Sequence, residues 1–176
     1  IGDFNSWETN NNYLLKRNTS AERYWIQLDG IEKGKEYAFQ YLINGTLAVA
    51  DPYAEKILDP NNDQYIPSTT YPNLKTLPST VKTIASVFQT GQTAYAWKNT
   101  TFKRPAKEDL VVYELHVRDF VANKSYQAVI DTLSYLKKLG VNAIELMPVQ
   151  EFTGNDSWGY NPIFYFAPDK AYGTKD

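Results

Sequence analysis

Apolar and polar positions alternate with a period of two through the early part of the chain, the pattern of half-buried strands. In "EYAFQYLINGTLAVADP" the residues Tyr37, Phe39, Tyr41 and Ile43 fall on one side, and Ala38, Gln40 and Leu42 on the other. This predicts one strand with an aromatic face. Asn44-Gly45 is the dipeptide favoured where both turn residues take positive φ, so a type I′ hairpin turn is expected there. Thr46 to Ala50 returns as the partner strand and Asp51-Pro52 ends it. "RYWIQLD" (23–29) and "KTIASVFQT" (82–90) read as further strands, "DPNNDQY" (59–65) as a loop, and "STTYPNLKTLPST" (68–80) as extended chain.

The charged, Pro-interrupted stretch "KRPAKED" (103–109) has no apolar period and marks a domain boundary. Beyond it the pattern changes. "LVVYELHV" (110–117) and "VNAIELMPV" (141–149) are nearly continuous apolar runs, as expected of strands buried on both faces. Between them, Tyr126, Val129, Ile130, Leu133, Leu136 and Leu139 recur at helical spacing, with Ser125 as N-cap and Gly140 at the stop. Strand, helix, strand predicts a βαβ unit with parallel strands and a right-handed crossover. One such unit cannot cover its own sheet, and a complete α/β barrel takes about 250 residues. The second part is therefore expected to be incomplete, and Ile1 in place of Met also reads as a segment of a longer protein.

Composition narrows the classes. The chain has 176 residues, 43% hydrophobic and 22% charged, enough for a packed core. With 18 Lys and Arg against 20 Asp and Glu, the net charge of −2 carries no nucleic-acid footprint. No apolar run approaches the roughly 18 residues of a membrane span. The absence of cysteine excludes thiolate chemistry and suits almost any compartment. The 4 Trp, 14 Tyr and 8 Phe suit a core and β-sheet surface first, and alternatively sugar recognition, since a sugar's C–H faces stack on rings while Asn, Asp and Gln bond its hydroxyl edges.

Several motifs then agree in order. "GDFNSW" (2–7) with the "YLINGTL" hairpin resembles the family 48 carbohydrate-binding module. "VVYELHVRDF" (111–120), "LKKLGVNAIELMPVQEF" (136–152) and "WGYNPIFYFAPDKAYGTKD" (158–176) resemble the first strand, the second strand and the following stretch of the α-amylase superfamily, glycoside hydrolase family 13. The resemblance implies an all-β immunoglobulin-like sandwich over 1–103, its first strand missing. The first βαβ part of an α/β (TIM) barrel would follow over 108–176, with the module docked on the barrel. It implies retaining cleavage of α-glucosidic bonds in starch- or glycogen-type polysaccharide. The alternatives are a branching or transferase enzyme, or a non-catalytic glycan-binding protein of the same architecture.

By the same resemblance, Tyr160 of "GNDSWGYNP" (154–162) stacks on the sugar next to the scissile bond, and Asn161 and Trp158 are further substrate-binding candidates, Asn161 by orienting the tyrosine or a neighbouring loop. Trp7 matches a ring that binds glucan in related modules, whereas Leu47 stands where a second ring is expected. The family's catalytic carboxylates lie on later strands, so none is assigned in this segment. Glu114 and Glu145 read as strand residues in barrel-interior polar networks, Glu151 as a loop residue, and His116 as a hydrogen-bonded core histidine. Asn155 and Asp156 are oxygen donors, but one pair falls short of the about six to eight ligands calcium takes. No metal or cofactor is assigned, and calcium is an expectation only for a longer enzyme.

Overall fold

A computed structural model describes residues 1–175; Asp176, the last residue of the expected barrel part, lies outside the described residues. Residues 1–103 contain strands and short 3-10 turns but no α-helix. The strands are β1 (Lys16–Asn18), β2 (Arg23–Trp25), β3 (Glu36–Phe39), β4 (Tyr41–Ile43), β5 (Leu47–Val49), β6 (Ile57–Leu58) and β7 (Ala85–Gln89). β1 and β2 form an antiparallel ribbon, β3, β7 and β6 an antiparallel sheet in that order, and β4 and β5 a hairpin. The hairpin turn is as its dipeptide demands: Asn44 has φ 52° and Gly45 φ 73°, and Thr46 N–H donates to Ile43 O at 3.1 Å.

Two strand expectations are corrected. The strand expected over 23–29 ends at Trp25 and is exposed throughout, because β1 is its sole neighbour. The strand expected to run unbroken from Tyr37 to Ile43 splits at Gln40. That side chain is buried and donates to Thr83 O, Thr83 Oγ1 and Ile84 O, while its backbone N–H donates to Ile1 O. Satisfying a buried amide is worth more than one more ladder pair, so the chain turns out of the first sheet there. The aromatic face survives on one side: Tyr37 and Phe39 pack on Phe88 at centroid distances of 5.5 and 5.6 Å.

The second part holds β8 (Val112–Leu115), the one-turn helix α1 (Val117–Phe120), α2 (Tyr126–Lys138), β9 (Ala143–Leu146), β10 (Gln150–Phe152) and β11 (Pro162–Pro168). β8 and β9 pair in parallel across α2, giving the βαβ unit. Ser125 Oγ accepts from Ala128 N–H at 3.2 Å, and Gly140 takes φ 85° past the helix end.

Burial on both faces is not what these strands have. Val112 is 52% exposed and Leu146 45%, and along the α2 stripe Ile130 and Leu139 are exposed while Val129 and Leu136 are buried. A two-stranded sheet under one helix covers one face only. Its core is Leu115, Val117, Val129, Leu136, Phe152 and Tyr172. A further cluster crosses the expected boundary: Ala54 and Ile57 pack with Phe164 and Ala167 of β11. No helix among the described residues is long and apolar enough to cross a membrane.

Candidate functional site

The loop expected after β9 is the tip of a hairpin. β10 and β11 pair antiparallel, with bulges, and residues 153–161 join them. The single-sequence pattern conceals this because "PIFYFAP" has no alternation. Trp158 and Tyr160 project from the tip, 64% and 65% exposed. Between them Gly159 is buried with φ 86°, and a Cβ there would stand 2.3 Å from Pro148 O. Only glycine meets both conditions. Ser157 Oγ accepts from Gly159 N–H at 3.0 Å and itself donates to Asn161 Oδ1. Asn161 thus braces the turn that carries Tyr160.

The tip is tied to the carboxyl end of β8. Arg118 Nη1 donates to Asp156 Oδ1, and the same guanidinium grips Asp119 through Nε at 2.8 Å and Nη2 at 3.0 Å. Asp119 Oδ2 also meets His116 Nδ1 at 2.9 Å, and His116 Nε2 lies 3.0 Å from the Tyr172 hydroxyl. His116 is therefore a buried, hydrogen-bonded residue, as its sequence context indicates. The Arg118 guanidinium, and after it His116, hold the Asp119 carboxyl well below the usual carboxylate range. Burial with Asp169 nearby pushes the Tyr172 hydroxyl up to about 12.

At the base of the hairpin lies a cluster that the sequence reading missed. Glu151 is not a loop residue: it sits in β10, 5% exposed, with its Oε1 on Lys170 Nζ. Lys170 is 2% and Asp169 1% exposed, and Asp63 Oδ1 of loop 59–65 lies 3.3 Å from the same ammonium. Asp169 is occupied by backbone, its Oδ1 accepting from Ala171 N–H at 2.8 Å and its Oδ2 from Phe152 N–H at 3.3 Å. Burial raises Glu151 to about 7 and Asp169 to about 6, more than Lys170 pulls them down. The carboxylates in turn raise Lys170 despite its burial. The available signal was the charged pair "DK" directly after an apolar run, which composition reads as a solvated turn.

The remaining candidates are scattered. Trp7 is half-buried against Ala38, Leu58 and Val87, its Nε1–H donating to Asp3 Oδ1 at 3.0 Å. Leu47 is exposed beside the Asn44-Gly45 turn. Glu114 and Glu145 are register partners across β8 and β9 and stand exposed, not inside a polar network. Asn155 and Asp156 turn to different partners, Asn155 Nδ2 donating to Asn62 O at 2.7 Å and Asp156 accepting from Arg118.

No family model matches the chain. It is 40% identical over 79 residues to a malto-oligosyltrehalose trehalohydrolase of Saccharolobus solfataricus, covering 45% of this chain and 14% of that protein. It is 28% identical to a 1,4-alpha-glucan branching enzyme of Clostridium perfringens over 98% of this chain and 25% of that one. Its fold is similar, at TM-score 0.64 and 29% identity, to a Salmonella typhimurium protein assigned as an alpha amylase, over 91% of this chain and 23% of that chain. The chain spans a quarter or less of the length of each of these three. The likeness to enzymes of α-glucans nonetheless runs through both of its parts.

Proposed function

We propose that this chain is the N-terminal portion of an α-glucan-active enzyme of the α-amylase type. A β-sandwich module over 1–103 would be followed by the first βαβ part of a (β/α)8 barrel over 108–176. The observation that carries this reading is the hairpin tip. Two exposed rings, Trp158 and Tyr160, stand on a braced turn beyond the carboxyl ends of the parallel strands β8 and β9. In α/β barrels that end bears the active site. A ring there covers a sugar's C–H face and holds the glycosidic bond in register for attack. The carboxylate nucleophile and the acid/base of a retaining mechanism are supplied from outside these residues.

The same surface serves hydrolysis and transfer alike. The branching-enzyme likeness over 98% of the chain supports transfer as the second reading. An enzyme containing this chain, incubated with starch, glycogen and pullulan, distinguishes the two. New reducing ends mark hydrolysis, and new α-1,6 branches without net reducing ends mark transfer. Neither product from any of the three glucans refutes the enzymatic reading and leaves a non-catalytic glycan binder.

A further inference from the structure

Four ionisable side chains, three buried and Asp63 mostly so, meet where β10, residues 169–172 and loop 59–65 come together. Lys170 Nζ contacts Glu151 Oε1 and lies 3.3 Å from Asp63 Oδ1. The two carboxylates come from opposite sides of the 103–109 boundary. Each is also fixed by its own segment. Asp63 Oδ2 accepts from Asp59 N–H at 2.9 Å, and Glu151 Oε2 from Lys170 N–H at 3.4 Å. A second bond follows the same seam, from Asn155 Nδ2 to Asn62 O at 2.7 Å.

Burying three carboxyls and an ammonium is costly, on the order of several kcal/mol per ion before pairing. Apolar residues would close the seam at lower cost, as Ala54, Ile57, Phe164 and Ala167 do beside it. What an ion cluster adds is direction: the ammonium is satisfied at one relative placement of its partners and not at others. Besides the packing of Gly159 on Pro148 and the Asn155–Asn62 bond, the tip has few ties. Its rings are exposed, and the Arg118–Asp156 pair has one partner 82% exposed, where ion pairs are weak.

We propose that Lys170 is a positioning residue for loop 153–161. Its ammonium, shared between Glu151 at the base of the hairpin and Asp63 of loop 59–65, sets where Trp158 and Tyr160 stand relative to the rest of the chain. The N-terminal part thereby acts on the tip as a brace, whether or not it binds glucan itself. The consequence for catalysis rests on the proposed function; the brace rests on the geometry alone.

The test uses Asp63→Asn, which keeps shape and leaves the Lys170–Glu151 pair. In the full chain, hydrogen exchange is read at the bonded amides of Asp63, Tyr65, Ile66, Phe152 and Gly159. These are expected to exchange at least about tenfold faster, with β3 and β7 amides within about twofold of wild type. Lys170→Met is expected to do the same; if it fails to fold, Lys170→Met/Glu151→Gln removes the stranded charge and replaces it. In the enzyme containing this chain, Asp63→Asn is expected to raise KM for maltooligosaccharides about three- to tenfold with kcat within about twofold. Unchanged exchange at these amides, or acceleration of every strand together, overturns the brace. Faster exchange at the tip with unchanged KM upholds the brace and refutes the sugar role of the loop.

Discussion

Gly159 lies against Pro148 so closely that a Cβ would stand 2.3 Å from the Pro148 carbonyl oxygen. The left-handed φ of 86° adds its own penalty for any side chain. The turn that presents Trp158 and Tyr160 is therefore folded back onto the segment leaving β9, and glycine is what lets it close. Gly159→Ala is expected to cost about 2 kcal/mol or more, from left-handed strain plus displacement of the turn. Chemical denaturation of the chain measures it. A loss under about 0.5 kcal/mol, the ordinary surface range, contradicts this account of the turn.

Tyr160→Ala in the longer enzyme is expected to lower kcat/KM on maltooligosaccharides about ten- to a thousandfold, roughly 1.4–4 kcal/mol of transition-state stabilisation. Tyr160→Phe is expected to do far less, since the ring face and not the hydroxyl makes the contact. The ring is 65% exposed, so thermal stability should hardly move. A sharp fall in Tm with kcat/KM intact would make Tyr160 a packing residue.

Trp7 is half-buried on Ala38, Leu58 and Val87, with its indole N–H given to Asp3. Trp7→Ala is expected to destabilise the chain by about 2–4 kcal/mol, at the lower end for a large core ring because burial is partial. Calorimetric unfolding together with glucan titration decides its role. Preserved stability with loss of glucan binding would assign Trp7 to sugar instead.

The cluster around Lys170 predicts an unusual pH dependence. Burial, with Asp169 and Asp63 nearby, raises Glu151 to about 7 in the folded chain from an ordinary value of 4.5. Burial, with Asp63 nearby, raises Asp169 to about 6. Between these limits the folded state holds more protons than the unfolded one, so stability falls as pH rises. The Glu151 contribution is complete below about pH 4.5 and gone above about pH 7, and that of Asp169 runs between about pH 4 and pH 6. Glu151→Gln should flatten that slope. Urea unfolding of both proteins at pH 5 and pH 8 reads the difference, and parallel profiles would refute it.

The purified chain alone is expected to release no reducing sugar from starch, glycogen or pullulan. Glu114 and Glu145 are exposed on neighbouring strands, and Glu151 is buried on Lys170, so these three glutamates offer no carboxylate pair set for acid/base work. Turnover abolished by substituting one of these glutamates would overturn this.

Much of the chain's organisation is local, and the sequence by itself determined it. Positive φ at Asn44 and Gly45, the Ser125 cap, the α2 period and the strand–helix–strand order each depend on a few neighbouring residues. So does the turn at 154–161, whose glycines and asparagines announce it, though not the hairpin that carries it. The tertiary structure alone decided what long-range pairing controls. Gln40 breaks a well-patterned strand because its partners lie at Thr83 and Ile84. Residues 162–168 become a strand because β10 is there to pair with them. Lys170 and Glu151, surface residues by type, are buried because Asp63, about a hundred positions earlier, comes to meet them. A period or a cap is written in adjacent side chains, but burial of a charge depends on which distant partner arrives, and no local pattern encodes that.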